Sequence, residues 1–225
     1  MERVKLARGA FVLVGAALLI AGIYAAAVRG LADAHYTNAR ILLAAATQAK
    51  RLPAQTELSE VRASLHAALL LEPSNPMFVE QLARTREMTA LGLGRRDPAA
   101  HAALHESLDA YRAAALMRPG SPYAWASIAL LKLRLGEMDV EFYGALERAA
   151  RLGPWEQPVQ IAIADAGLAS WRRLAPPAQS LVIAALERGL LRQAPEIRRI
   201  AAAHGTLPLV CAGAALPPRL AAFCV

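Results

Sequence analysis

The side chains that could do chemistry are few, and their spacing says mostly what this chain lacks. His101 and His105 stand four apart on one helix face, beside Glu106. Such a pair can hold a metal, but the metalloprotease pattern needs a glutamate directly after the first histidine, and Ala102 stands there. No third ligand is near, so the two are expected to be ordinary surface or groove histidines. The GLGRRD run at 92–97 lacks the Lys–Ser/Thr ending and the preceding strand of a phosphate cradle. Ser127, Ser170 and Ser180 fall in helical sequence, without the strand-to-helix elbow that exposes a nucleophile. Asp33, Asp109, Asp139 and Asp165 do not pair on any readable face. No catalytic residue, metal site or cofactor is expected, and the chain reads as a non-enzyme.

Two further residue types deserve weighing. Cys211 and Cys224 both sit in the final tail, VCAGAALPPRLAAFCV. A location outside the cytoplasm permits a disulfide between them, with buried free thiols as the alternative. Their separation and the lack of a second pair argue against a metal site. Among the aromatics, Tyr123, Trp125, Phe142, Tyr143, Trp155 and Trp171 crowd the C-terminal half. Packing between helical hairpins accounts for most of them. Trp155 and Tyr123, together with His101 and His105, form the candidate interaction surface, where an exposed aromatic could anchor a peptide or a sugar.

The elements that must carry these residues are helices. The 225-residue chain is 56% apolar and only 19% charged. Alanine and leucine, both helix formers, supply the excess, and β-branched residues never alternate as a strand would require. The net charge of +7 comes from scattered arginines rather than a basic stripe, which argues against nucleic acid as a partner.

At the N-terminus, Arg3, Lys5 and Arg8 stand against Glu2, and Gly9 to Val28 then runs without a charge. That length spans a bilayer as a helix. The flanking charge predicts a retained anchor with a cytoplasmic N-terminus and the remainder outside, in the periplasm of a double-membrane bacterium. A cleaved signal peptide and a buried soluble helix are the competing readings. Gly9, Gly15, Ala16, Gly22 and Ala26 offer small surfaces for lateral helix packing, which suits a membrane partner or a homo-oligomer. The helix is expected to run on as a stalk to Leu52, with Ala34, Ile41, Ala45 and Ala49 on its apolar face and Tyr36–Asn38 as the natural place for a kink.

Beyond Pro53 the pattern is one of short helices between Pro and Gly stops. A helix from Thr56 places Leu58, Val61, Leu65, Leu69 and Leu70 inward, and one from Pro76 places Phe78, Leu82, Met88 and Leu91 inward. Asp97 caps a helix over 98–117 with Leu104, Leu108, Tyr111 and Leu116 inward. The organising stretch is 121–154. Ser121–Pro122 opens a helix carrying Trp125, Ile128, Leu131 and Leu135, Gly136 ends it, and a second helix with Phe142, Leu146 and Ala149 runs to Gly153–Pro154. A helix with Ile161, Ile163, Leu168 and Trp171 follows, then one over 178–191 with Leu181, Ile183, Leu186 and Leu190 inward, and a last one from Pro195.

Pro76, Pro122 and Pro158 open successive hairpins; the interval from 122 to 158 is near the roughly 34 residues of a tetratricopeptide unit, and that from 76 to 122 needs an insertion at Gly92 to Asp97. Counted from Pro122, Trp125, Ile128 and Gly136 resemble the first helix and turn of such a repeat. Glu141 stands where a small residue is usual. The predicted fold is therefore all-α: a single transmembrane helix (about 9–28) within a segment 1–52, a tetratricopeptide-like α-solenoid over 53–205, and a tail at 206–225.

Over most of its length the chain also resembles VpsP-type polysaccharide-biosynthesis accessory proteins. The resemblance rests on LLLEPSNP at 69–76, the run ALMRPGSPYAWASIALLKLRLGEMD, ARLGPWEQPVQ, GLASWRRL and the cysteine-bearing tail. It implies an accessory component of extracellular polysaccharide production or export, with no catalytic residues to carry over. The expected function is a non-catalytic scaffold contacting the lipid bilayer and envelope proteins. A subunit of a secretion, pilus or respiratory assembly, and a glycan-binding module, are the alternatives.

Overall fold

The computed structural model describes residues 2–94, 96–212 and 216–224, with side chains from 11 onward except at 12. The described residues are all-α and divide into two compact units, Met1–Gln81 and Leu82–Val225, each taken by itself below.

In the first unit, α1 (Glu2–Gln48) is one helix of 47 residues, about 70 Å long at the usual rise. Its part from Leu13 onward is long and apolar enough to cross a membrane. Phe11, Leu18, Ile20 and Ile23 are all exposed, as side chains that face lipid must be. Nothing breaks the helix at Tyr36–Asn38. Instead Tyr36 packs against Phe78, ring centroids 5.1 Å apart, beside the buried Ala32 and Ala68.

The stalk face differs from the expected one. Ala34, Ile41, Ala45 and Ala49 are exposed, and the buried stripe is Ala32, Ala39, Leu43 and Ala46. Alanine occurs on every side of this helix, so its apolar phase is weak. The partner sets it: α2 (Gln55–Leu71) packs along the face where small residues let two backbones approach closely.

In α2, Leu58, Val61, Leu65 and Ala68 are buried, Leu69 is half-buried, and Leu70 is 83% exposed. Three consecutive leucines cannot share one helical face, and Leu70 points away. The helix starts at Gln55, where the Glu57 carboxylate accepts the Ala54 N–H at 2.6 Å and the Arg51 guanidinium bidentately. Those bonds, Arg51's first, hold Glu57 down at about pKa 2.

The boundary between units falls inside α3 (Pro76–Gly92), after Gln81, so α2 groups with α1 rather than with the later helices. In the second unit, α4 (Pro98–Met117) begins where the Asp97 carboxylate accepts the Ala99 N–H at 2.8 Å. Leu108 and Tyr111 are buried, but Leu116 is exposed, as are Leu91 in α3 and much of Trp155 further on. Ala114 and Ala115 take the core positions Leu116 was expected to fill.

Next, α5 (Pro122–Leu135) and α6 (Val140–Leu152) form the hairpin read from sequence. Gly136 turns between them at φ 77°, a conformation glycine adopts without strain, and the Asp139 carboxylate accepts from Glu141 N–H and Phe142 N–H. α7 (Gln157–Ser170) is buried on nearly every side and ends in a short turn of 3₁₀-helix, Trp171–Arg173. α8 (Pro176–His204) carries a kink at Gln193, two residues before Pro195, as the break expected there requires.

α5 packs on α4, α6 and α7, α6 on α7 and α8, and α7 on α8. α5 and α6 thus each meet both their successor and their next-but-one neighbour, a helical-repeat arrangement. Gly167 shows how tight it is, for a Cβ there would lie 2.4 Å from a Val182 methyl. Finally, α9 (Leu207–Cys211) and α10 (Pro218–Phe223) are short helices seated on α8, with Val210 and Leu220 fully buried.

Candidate functional site

Three features of the second unit could carry function: a buried charge cluster, a groove and an exposed aromatic edge. The cluster centres on Lys132, 1% exposed on the same helical face as Ile128 and Leu131. Its ammonium lies 2.9 Å from Glu137 Oε2 and 3.0 Å from both Asp139 Oδ2 and Glu141 Oε2. Three donors therefore meet three carboxylates. Burial pushes the Lys132 pKa down, yet the carboxylate bonds outweigh it, and the net shift is upward. The Arg112 guanidinium, and Lys132 after it, hold Glu141 below the usual carboxylate range. Lys132, then the Phe142 N–H, does the same for Asp139.

This cluster ties α5, the 136–139 turn, α6 and, through Arg112, α4 into one piece. It gives Glu141 a structural role, as the carboxylate shared by Arg112 and Lys132. Its ammonium has no free donor for a substrate, so its work is structural. Sequence reasoning missed it, although Lys132 lies four residues after Ile128, followed by Glu137, Asp139 and Glu141 at alternate positions.

The groove, about 630 Å³, runs between the C-terminal ends of α3 and α5, the start of α4, and α7 with the end of α8. Leu91, Leu104 and Leu133 line it with polar groups at its rim. His204 Nε2 sits 2.6 Å from Asp165 Oδ1, and Arg134 is bonded to Glu87. His101 opens onto this groove. His105 stacks beside it with ring centroids 5.5 Å apart, but is not part of the lining. The sequence-predicted pair is thereby split in role. No group of three or more His, Cys, Asp or Glu among the described residues is placed to hold a metal.

Tyr123, at the start of α5, and Trp155, in the turn between α6 and α7, lie elsewhere. The Tyr123 hydroxyl donates to Glu156, and the Trp155 indole is 69% exposed. Arg188 of α8 stands over that ring, 5.7 Å from its centroid. Trp125, by contrast, is committed: its Nε1 donates to Pro119 O at 2.8 Å, and Arg148 covers its ring. Trp171 is buried.

In the tail, the structure joins Cys211 and Cys224 in a disulfide, with Cα atoms 5.6 Å apart. Glu187 fastens the same tail by accepting from the Leu220 and Arg219 N–H groups. In the first unit, Ala16, Gly22 and Ala26 are exposed and a Cβ at Gly15 or Gly22 would meet open space, so those surfaces are free in the single chain. The side-chain position of Gly9 lies outside the described residues.

No protein-family model matches the chain, and no curated protein matches it.

Proposed function

We propose that this protein is a non-catalytic membrane-anchored scaffold that holds partner proteins of an envelope assembly outside the cytoplasm. The observation carrying this reading is the continuity of α1. A single helix presents an apolar, outward-facing stretch over one part of its length and a buried stripe clasped by α2 over another. A bilayer core takes up about 30 Å of such a helix, which leaves the part clasped by α2 beyond the apolar core.

Arg3, Lys5 and Arg8 before the apolar stretch support a cytoplasmic N-terminus. The Cys211–Cys224 bridge supports an oxidising compartment for the second unit. Stacked helical hairpins of tetratricopeptide type bind partners along grooves between helices, and the groove lined by Leu91, Leu104 and Leu133 suits that use. The pathway we propose, extracellular polysaccharide biosynthesis or export, follows from the resemblance to VpsP-type accessory proteins.

In-cell crosslinking, followed by purification of the full chain from native membranes, tests the reading. A polysaccharide polymerase, exporter or copolymerase among the partners is the expected result. Pilus, secretion or electron-transfer subunits would sink the pathway and keep the scaffold. Absence of any protein partner would sink the scaffold as well.

A further inference from the structure

The turn between α6 and α7 is built to hold a ring outward. A Cβ on Gly153 would lie 2.6 Å from Pro122 Cβ, so the turn is pressed onto the start of α5. Glu156 is held by the Tyr123 hydroxyl, and Gln160 Nε2 donates to Pro154 O at 2.8 Å. The backbone is fixed on both sides, yet Trp155, the largest side chain type, is left largely in solvent.

Arg188 beside it is equally unusual. Its Nε is buried with no hydrogen-bond partner, and it forms no ion pair among the described residues. Arg112, Arg134 and Arg51 each have a carboxylate. Burial pulls the Arg188 pKa below its ordinary value, the mark of a charge left uncompensated. Arg192, one turn further along α8, is exposed and adds a second cation.

We propose that the Trp155–Arg188 edge is a docking site for an acidic segment of a partner protein. An Asp or Glu carboxylate accepts from the Arg188 guanidinium, and a neighbouring apolar side chain of the segment covers the indole. Trp and Arg are the residue types that dominate protein interfaces, and a guanidinium grips a carboxylate in a planar, two-bond geometry. A saccharide fits less well. Its hydroxyls need several donors and acceptors, whereas Tyr123 and Gln160 are already engaged and the side chains of Leu152 and Pro154 carry no polar group. The assignment is independent of the polysaccharide pathway and of which protein fills the groove.

Panning a random displayed peptide library against the full chain in lipid nanodiscs tests it. Enriched peptides are expected to share an Asp or Glu beside an apolar residue. Their affinity should fall about tenfold or more with Arg188→Gln or Trp155→Ala, and less with Arg188→Lys, which keeps the charge and loses the fork. Replacing the peptide's own acid by its amide should cost as much, and that measurement leaves the protein untouched. Enrichment of peptides without acids, indifference to Arg188→Gln, or no enrichment would overturn the proposal. Trp155-dependent binding of polygalacturonate in place of peptides would overturn it too, by assigning the edge to sugar.

Discussion

The α1–α2 pair and the α5–α6 hairpin solve the same packing problem with opposite materials. Between α1 and α2 the contact is dry and small: Ala32, Ala39, Leu43 and Ala46 on one side, and Leu58, Val61, Leu65 and Ala68 on the other. Its ion pairs, Arg51–Glu57 and Arg29–Glu72, sit at the exposed margins. Between α5 and α6 a fully buried ammonium replaces part of the apolar contact, and three carboxylates replace the solvent it has lost. An apolar seam tolerates sliding, because burial has no direction. A three-carboxylate socket fixes one register and one turn geometry, at the risk of a large penalty when any partner is removed.

The contrast is sharpest in mutations. Leu65→Ala should destabilise the α1–α2 pair by about 3 kcal/mol, since removing a fully buried leucine leaves a cavity that its neighbours fill only in part. Hydrogen exchange of α2 amides in nanodiscs should rise accordingly, by the same factor at low and high salt. Lys132→Met should cost the α5–α6 hairpin about 2 kcal/mol, because three partly exposed carboxylates lose their shared cation and repel one another. Exchange would then accelerate in the 136–142 turn and in α6, and added salt should restore part of the loss. Equal stability of Lys132→Met would mean that desolvation cancels the network and that the socket serves register alone.

These two regions also differ in how readily the sequence disclosed them. The α5–α6 hairpin was legible because its stops are unambiguous: Pro122, Gly136 and Gly153 bound it, and Ile128, Leu131, Phe142 and Leu146 keep a clear period. Asp97, Pro195 and the span in α1 were readable for similar reasons. The buried stripe of α1 was not, because alanines at 34, 45 and 49 carry the same apolar signal as those at 32, 39 and 46, and only α2 breaks the tie. Leu70 and Leu116 mislead for a related reason: hydrophobicity fixes which residues prefer burial, while the helical angle fixes which of them can have it. Among the site residues, exposed Trp155 and Tyr123 were visible as aromatics at a Pro turn. Their partners were not, for Arg188, Glu156's bond to Tyr123, and the Asp165–His204 pair join residues far apart in sequence. Lys132 was hidden because an ammonium carries no apolar signal and its three carboxylates lie beyond the Gly136 turn.

Acid should separate the regions further. Asp139 and Glu141 have folded-state pKa values held below their ordinary ones, so the stability they contribute is present above about pH 4 and is lost as pH falls through the folded values. Lys132 is shifted upward, so its contribution is complete below its ordinary value of about 10.4 and is lost as pH rises beyond that. The α5–α6 hairpin should therefore show a plateau between those limits and soften below about pH 4, while the α1–α2 seam, whose buried residues do not titrate, loses only the exposed Arg51–Glu57 cap of α2 as pH falls toward about 2. A hairpin indifferent to pH 3 would remove the charge cluster as its distinguishing support.

The smallest effect belongs to the margin of the apolar seam. Arg29 is largely exposed and its Nε lies 3.5 Å from Glu72 Oε1, a long contact screened by solvent. Arg29→Gln should change α1–α2 stability by no more than about 0.5 kcal/mol, within the range of exposed ion pairs. The same substitution has a second readout, because Arg29 is the first charge after the apolar stretch. Losing it lengthens that stretch toward Asp33, so the depth of α1 in the bilayer should shift while its contact with α2 does not. Accessibility of cysteines placed one at a time along 26–34 to a membrane-impermeant thiol reagent reports the depth, and α2 exchange reports the contact. A large loss of α2 protection would show that the seam depends on a charge after all, and the contrast between the two regions would fail at its simplest point.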